Sequence, residues 1–257
     1  LYDLTRTLAA SNIYIASAVI ATFGAQVVDT FYVKDMFGLK LHTKPKQDAL
    51  EKKLRQAIAE RTGMDPNRLV FGNGSEDLIK ILCEVFLCPG DLVVTQRPVF
   101  GLHEIYPKMM GAQVQLLELT PELGFDVDAW CAAMAREPKL AFLPNPSNPV
   151  GCMLDMAQFS QVLEATPDST VLVVDEAYYE YALHDEHSPD VLAMLATRAG
   201  PWIVLRTFSK AWGLAGLRVG YRVSGPAQGL AVRFAGSGRD EIYLAEAMGK
   251  ELLWSPV

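Results

Sequence analysis

The residues best suited to chemistry lie between Arg206 and Tyr221, where the chain reads Arg206-Thr207-Phe208-Ser209-Lys210-Ala211-Trp212-Gly213-Leu214-Ala215-Gly216-Leu217-Arg218-Val219-Gly220-Tyr221. An apolar strand pattern, Trp202 to Leu205, leads into two hydroxyls, a lysine, a Gly/Ala-rich turn and then Arg218. A lysine forms a Schiff base when its amine is presented at a strand end within a substrate pocket. Thr207, Ser209 and Arg218 beside it suit a phosphorylated group, because hydroxyls donate to phosphate oxygens and a guanidinium pairs with them. An ordinary surface lysine is the competing reading of Lys210.

Three further motifs precede this run. Gly72-Asn73-Gly74-Ser75-Glu76 follows a strand pattern and opens a helix. Free backbone N–H groups and the helix dipole make such a position an anion site. A plain helix cap by Ser75 is the alternative. Asn145-Pro146-Ser147-Asn148-Pro149-Val150-Gly151 follows another strand pattern. Its prolines stiffen the loop, and the Asn148 amide can donate to a phenolate oxygen; a rigid turn without ligand explains it equally. Val173-Val174-Asp175-Glu176-Ala177-Tyr178 puts a carboxylate at the end of an apolar strand. A buried carboxylate needs a cationic partner, and a protonated pyridine nitrogen is one. Asp175 also fits a helix cap or a metal ligand of the Walker-B kind, although no Gly-x4-Gly-Lys-Ser/Thr run accompanies it.

The elements that must position these motifs alternate from Gly63 onward. Strand patterns at Leu92–Thr95, Val114–Leu119, Leu140–Leu143, Val171–Val174 and Trp202–Leu205 are separated by helical patterns near Leu102–Met110, Val127–Arg136 and Met156–Glu164, and a further helix follows Ser75. Short, continuous apolar runs are strands buried on both faces. The expected fold is therefore α/β, a mostly parallel sheet with helices on both faces, and every motif falls at a strand C-terminus of that sheet. Residues 1–60 read differently, with two strand patterns, Ile13–Ile20 and Val27–Val33, a turn near Gly24, and a helix opened by Pro45 that carries Leu50, Leu54 and Ile58 on one stripe. Residues 226–257 are a tail without a motif, read as an amphipathic helix over Asp240–Trp254.

Composition narrows the function classes. Half of the 257 residues are hydrophobic and the formal net charge is -7, with no basic run longer than Lys52-Lys53. These features argue against nucleic acid and anionic membranes as partners, and no apolar stretch is long enough to span a bilayer. The four cysteines, Cys83, Cys88, Cys131 and Cys152, lack paired spacing and read as buried free thiols of a cytoplasmic protein, with no metal site.

Gly72–Glu76, Asn145–Gly151, Asp175–Tyr178 and Arg206–Tyr221, in that order, resemble the large domain of fold-type I, pyridoxal-phosphate-dependent aminotransferases of class I/II over residues 61–225. The histidinol-phosphate aminotransferase branch is the nearest match. The resemblance implies that Lys210 forms a Schiff base with pyridoxal 5′-phosphate and then carries the proton in catalysis. It implies that Asp175 pairs with the pyridine nitrogen and that Asn148 and Tyr178 bond the phenolate oxygen. Gly74, Ser75, Glu76, Thr207, Ser209 and Arg218 would surround the phosphate, and Phe100 would stack on the ring. The implied reaction transfers an amino group from an amino acid or histidinol-phosphate-like amine to a 2-oxo acid, in a homodimer serving histidine biosynthesis. The family continues into a small domain with a carboxylate-binding arginine and carries an N-terminal arm. The resemblance reaches neither here, so slow or undetectable transamination with histidinol phosphate and 2-oxoglutarate is expected even where the cofactor binds.

Residues 1–60 instead resemble a partial ACT domain of the bifunctional uridylyltransferase/uridylyl-removing enzyme, on Val27–Asp35 and the Lys46–Ala59 helix. That likeness implies a chimera, and it keeps two alternatives open: a regulatory, small-molecule-sensing module and a catalytically inactive hybrid.

Overall fold

The computed structural model describes residues 13–23, 26–35, 52–53, 55–60, 63, 65–211, 219–225, 231–234 and 242–245. The two β-branched patterns near the start form an antiparallel hairpin of β1 (Ile13–Phe23) and β2 (Gln26–Asp35), with a register irregularity between Ile15 and Ser17. Such a hairpin is common to many folds and does not by itself carry the ACT-like reading. Residues 52–53 and 55–60 are helical, and Ile58 and Ala59 are buried as a helical stripe requires. Leu50 and Leu54 lie outside the described residues.

The apolar runs of the remaining chain become one seven-stranded sheet. Its order is β3 (Leu69–Asn73), β9 (Val219–Ser224), β8 (Trp202–Thr207), β7 (Val171–Asp175), β6 (Leu140–Pro144), β4 (Leu92–Arg97) and β5 (Gln113–Glu118). Strands β5, β4, β6, β7 and β8 pair in parallel. Strand β9 is antiparallel to both β8 and β3, so β3 runs in the same direction as the parallel set. The sheet is thus mostly parallel, as expected.

Helices cover both faces, and the strand residues show why. Val93, Leu140, Phe142, Val171, Val173, Ile203 and Leu205 pack under α1 (Gly74–Phe86), against Leu78, Ile79 and Leu82. Their neighbours Val94, Ala141, Leu143, Leu172, Val174 and Val204 face the other way. There they meet Trp130 of α3 (Val127–Met134), Phe159 of α4 (Met156–Ala165) and Leu195 of α6 (Val191–Leu195). Strand side chains alternate between faces, so two apolar faces require an unbroken apolar run. Each fully buried aliphatic side chain stabilises the fold by about 1.5–3 kcal/mol. The α1 face also carries α2 (Leu102–Met109), and α5 (Tyr179–Ala182) is a single turn beyond β7.

Two expectations fail. Ile242–Ala245 is a strand, β11, paired antiparallel with β10 (Ala231–Phe234), where the sequence pattern predicts a helix. The pairing sets Ile242 opposite Phe234 and Leu244 opposite Val232, so β-favouring residues meet across the ladder. Of the cysteines, only Cys83, on the inner face of α1, is buried; Cys88 is exposed and Cys131 and Cys152 are half-buried. Cys88 lies in the turn after α1, where its N–H donates to the Asp91 carboxylate, so the apolar residues around it in sequence do not enclose it. Among the described residues no helix is long and apolar enough to cross a membrane.

Candidate active site

The strand register brings the motifs to one edge of the sheet. Gly220, near the start of β9, pairs with Gly72 on one side and Thr207 on the other. The turn from β3 into α1 therefore lies beside the turn that leaves β8. Contact here is very close: a Cβ on Gly220 would lie 2.3 Å from the Ser75 nitrogen and 2.5 Å from the Gly74 carbonyl carbon. Gly74 itself has φ +80°, a conformation that side chains disfavour. Helix α1 starts at Gly74, and its N-cap residue Asn73 makes no side-chain capping bond. Ser75 is inside the first turn rather than capping it. The orphan N–H groups of this turn and the Ser75 hydroxyl stand beside the Thr207–Ser209 turn, a donor set suited to an anion.

Thr207 is buried, and its hydroxyl oxygen accepts from the Ser209 N–H at 3.1 Å, which closes the turn toward Lys210. Lys210 is exposed, with its Nζ 5.3 Å from the centre of the Tyr178 ring. Arg218 falls outside the described residues. Glu76 is exposed on the first turn of α1, where its carboxylate accepts from the Tyr106 hydroxyl at 3.4 Å. Burial, and then the Glu76 charge, push the Tyr106 hydroxyl above its ordinary pKa. A carboxylate repels phosphate, so the use of Glu76 at an anion site is through its backbone N–H.

Asp175 ends β7 on the same face as Val171 and Val173, directed toward α2. Its side chain is only 8% exposed. One carboxylate oxygen accepts from the Ala177 N–H at 3.1 Å. The other lies 3.0 Å from Nε2 of His103, without the alignment of a hydrogen bond. His103 is fully buried and stacks on Phe142, with ring centres 4.9 Å apart and planes 7° apart. Phe100 meets His103 edge-on at 5.9 Å. The expected stacking residue and the strand-end carboxylate thus border one histidine.

The Asn loop is fixed from several sides. Asn145 donates its N–H to the Asp175 carbonyl, and its side-chain oxygen accepts from Leu154 N–H at 2.8 Å. Ser147 N–H donates to the Cys152 carbonyl, and Gln96 Nε2 donates to the Ser147 hydroxyl at 2.6 Å. Asn148 and Tyr178 line an open cleft of about 540 Å³, together with Pro146, Ser147, Tyr181 and His187 among others. Tyr178, one of its lining residues, has its ring beside Lys210.

Sequence reading missed two features. His103 sits one helical turn after Phe100, and that spacing was its only signal. The second is a buried ion pair: Arg206 Nε and Nη2 both reach Oε2 of Glu176 at 2.8 Å. Burial pushes the Glu176 carboxyl up, against the pull of Arg206. Burial also opposes the Arg206 charge, but the Glu176 carboxylate beside it more than offsets this and keeps the guanidinium protonated.

Residues 42–237 match the family model of aminotransferase class I and II. This chain belongs to that family. The match begins at residue 42, ahead of the boundary at residue 61 expected from the motifs. Histidinol-phosphate aminotransferase 1 of Mesorhizobium japonicum is 46% identical over 178 residues, covering 69% of this chain and 48% of the relative. Histidinol-phosphate aminotransferase 3 of Rhizobium meliloti is 46% identical over 166 residues, covering 65% of this chain and 45% of the relative. The solved histidinol-phosphate aminotransferase of Sinorhizobium meliloti, in complex with pyridoxal-5′-phosphate, aligns with TM-score 0.63 at 31% identity, covering 68% of this chain and 47% of that one. The chain spans about half the length of the curated relatives it matches.

Proposed function

We propose that this aminotransferase-family chain binds pyridoxal 5′-phosphate at the C-terminal edge of its sheet and transfers an amino group from a histidinol-phosphate-like amine or an amino acid to a 2-oxo acid. The observation that carries the proposal is a convergence along one edge. A nearly buried carboxylate, an exposed amine and a glycine-bounded set of N–H and hydroxyl donors all lie at or just beyond one end of strands β3, β7, β8 and β9. The bare Gly220 lets the first turn of α1 close on β9, whose Gly220 pairs with Thr207, and donors of these types suit a phosphate.

Gly74, Ser75 and Glu76 would bind the phosphate through backbone N–H groups, and Ser75, Thr207 and Ser209 through hydroxyls. Arg218 would add a cation. Asp175 would hold a proton on the ring nitrogen, since its second oxygen can serve the ring while Ala177 N–H orients the first. Asn148 and Tyr178 would donate to the phenolate oxygen, and Phe100 would cover one ring face. The cofactor supplies an aldehyde carbon that bonds amines and a ring that withdraws electrons from the carbon losing its proton. Lys210 supplies the amine that holds the cofactor and moves that proton. The substrate class follows the names of the relatives. We read the working form as a homodimer, and the family match at 42–237 supports a cofactor-binding unit wider than 61–225 at both ends.

The test is glutamate formation from 2-oxoglutarate with histidinol phosphate as donor, beside a panel of amino acids. Glutamate formed fastest with histidinol phosphate supports the proposal. Cofactor-loaded protein that neither forms glutamate nor exchanges the α-hydrogen of any donor overturns it.

A further inference from the structure

Two adjacent strands each end in a residue of the proposed site, and the neighbours of those residues form the buried ion pair. Glu176 follows Asp175 at the end of β7, and Arg206 precedes Thr207 at the end of β8. Both are almost fully buried, at 3% and 4% exposure. The strands need no such help to stay together, because the ladder pairs Asp175 with Leu205 and Glu176 N–H donates to the Leu205 carbonyl at 2.9 Å. Nor is a buried ion pair an economical source of stability, since its desolvation commonly cancels its attraction. The pair therefore invites a reading in terms of position.

Arg206 does more than pair with Glu176. Its guanidinium carbon lies 3.5 Å from the centre of the Tyr179 ring. Tyr179 in turn donates its N–H to the Glu176 carbonyl at 3.0 Å and follows Tyr178 directly. One rigid, planar cation thus ties the exit of β8, which leads to Lys210, to the exit of β7, which leads to Tyr178. We infer that Glu176, Arg206 and Tyr179 form a positioning clamp that sets Lys210 against Tyr178 in the site. The inference rests on the proposed role of Lys210 for its consequence in catalysis, but the clamp is a property of the chain itself. Arginine suits it where lysine does not, because only a planar fork serves a carboxylate and stacks on a ring together.

The experiment compares wild-type protein with the double variant Glu176→Leu/Arg206→Met, without cofactor, by amide hydrogen exchange and thermal melting. Apolar replacement of the whole pair leaves the melting temperature within a few degrees. The clamp predicts faster exchange, by about tenfold or more, confined to residues 177–182 and 207–211. Unchanged exchange in these two segments, or faster exchange throughout the sheet, overturns it. Should the double variant not fold, Tyr179→Leu decides the same question at a half-exposed position. It must loosen both segments, and Tyr179→Phe, which keeps the ring, must restore wild-type exchange. With pyridoxal phosphate added, borohydride-fixed attachment at Lys210 should slow by about tenfold in the clamp variants. A wild-type chain that attaches no cofactor at Lys210 overturns the functional reading, while the exchange result still decides the clamp.

Discussion

Asp175 is the residue on which the proposed chemistry would turn. It is held at a strand end with one oxygen fixed by Ala177 N–H and the other facing His103. Asp175→Asn keeps the shape and loses the charge. It should leave cofactor binding measurable but sharply slow exchange of the α-hydrogen of a bound amino acid, followed by proton NMR in deuterated water. Equal exchange in both proteins would remove Asp175 from its assigned role. His103→Phe retains the stack on Phe142 and removes the nitrogen beside the carboxylate. Weaker cofactor binding with an unchanged melting temperature is expected, and a titration beside a melting curve checks both. Cysteine reactivity follows burial. Burial first, and then the Glu84 charge, push the Cys83 thiol up to about 12, so at pH 8 it is almost entirely protonated and unreactive. Exposed Cys88 should react rapidly with an aromatic disulfide under the same conditions, and Cys83 only on unfolding.

At the scale of elements, the contact between α1 and β9 sets the turn proposed to bind the phosphate. Gly220→Ala would force a methyl group onto the Ser75 nitrogen and Gly74 carbonyl carbon, both backbone atoms that cannot rotate away. A cost of about 1–3 kcal/mol is expected, with a lower melting temperature and weaker competition by inorganic phosphate for the cofactor. Wild-type values for both would mean that the two turns separate freely. The strands of this sheet were legible in the sequence because burial on two faces leaves unbroken apolar runs, as in Leu140–Leu143 and Val171–Val174. The turn from β3 into α1 was legible because Gly72 and Gly74 bracket the point where a strand pattern gives way to a helix. His103 beside Asp175, and Arg206 beside Glu176, were not legible, since each contact joins residues on different elements that only the sheet order brings together. The strand at Ile242–Ala245 was misread because its helical spacing competed with a pairing partner in β10 that no local pattern reveals.

For the whole molecule, we propose that one edge of the sheet is a pyridoxal-phosphate site built around Lys210. The sheet order places Gly74 and Ser75, Thr207, Asp175 and the Asn148 loop along that edge, while the chain between them crosses both faces. The family match, over residues 42–237, spans all of these residues. The most direct measurement incubates the purified chain with pyridoxal phosphate, reduces with borohydride, digests it and maps the modified peptide by mass spectrometry. A pyridoxyl group on Lys210, absent from Lys210→Arg, is the predicted result. Modification of a different lysine, or of none, would contradict the account.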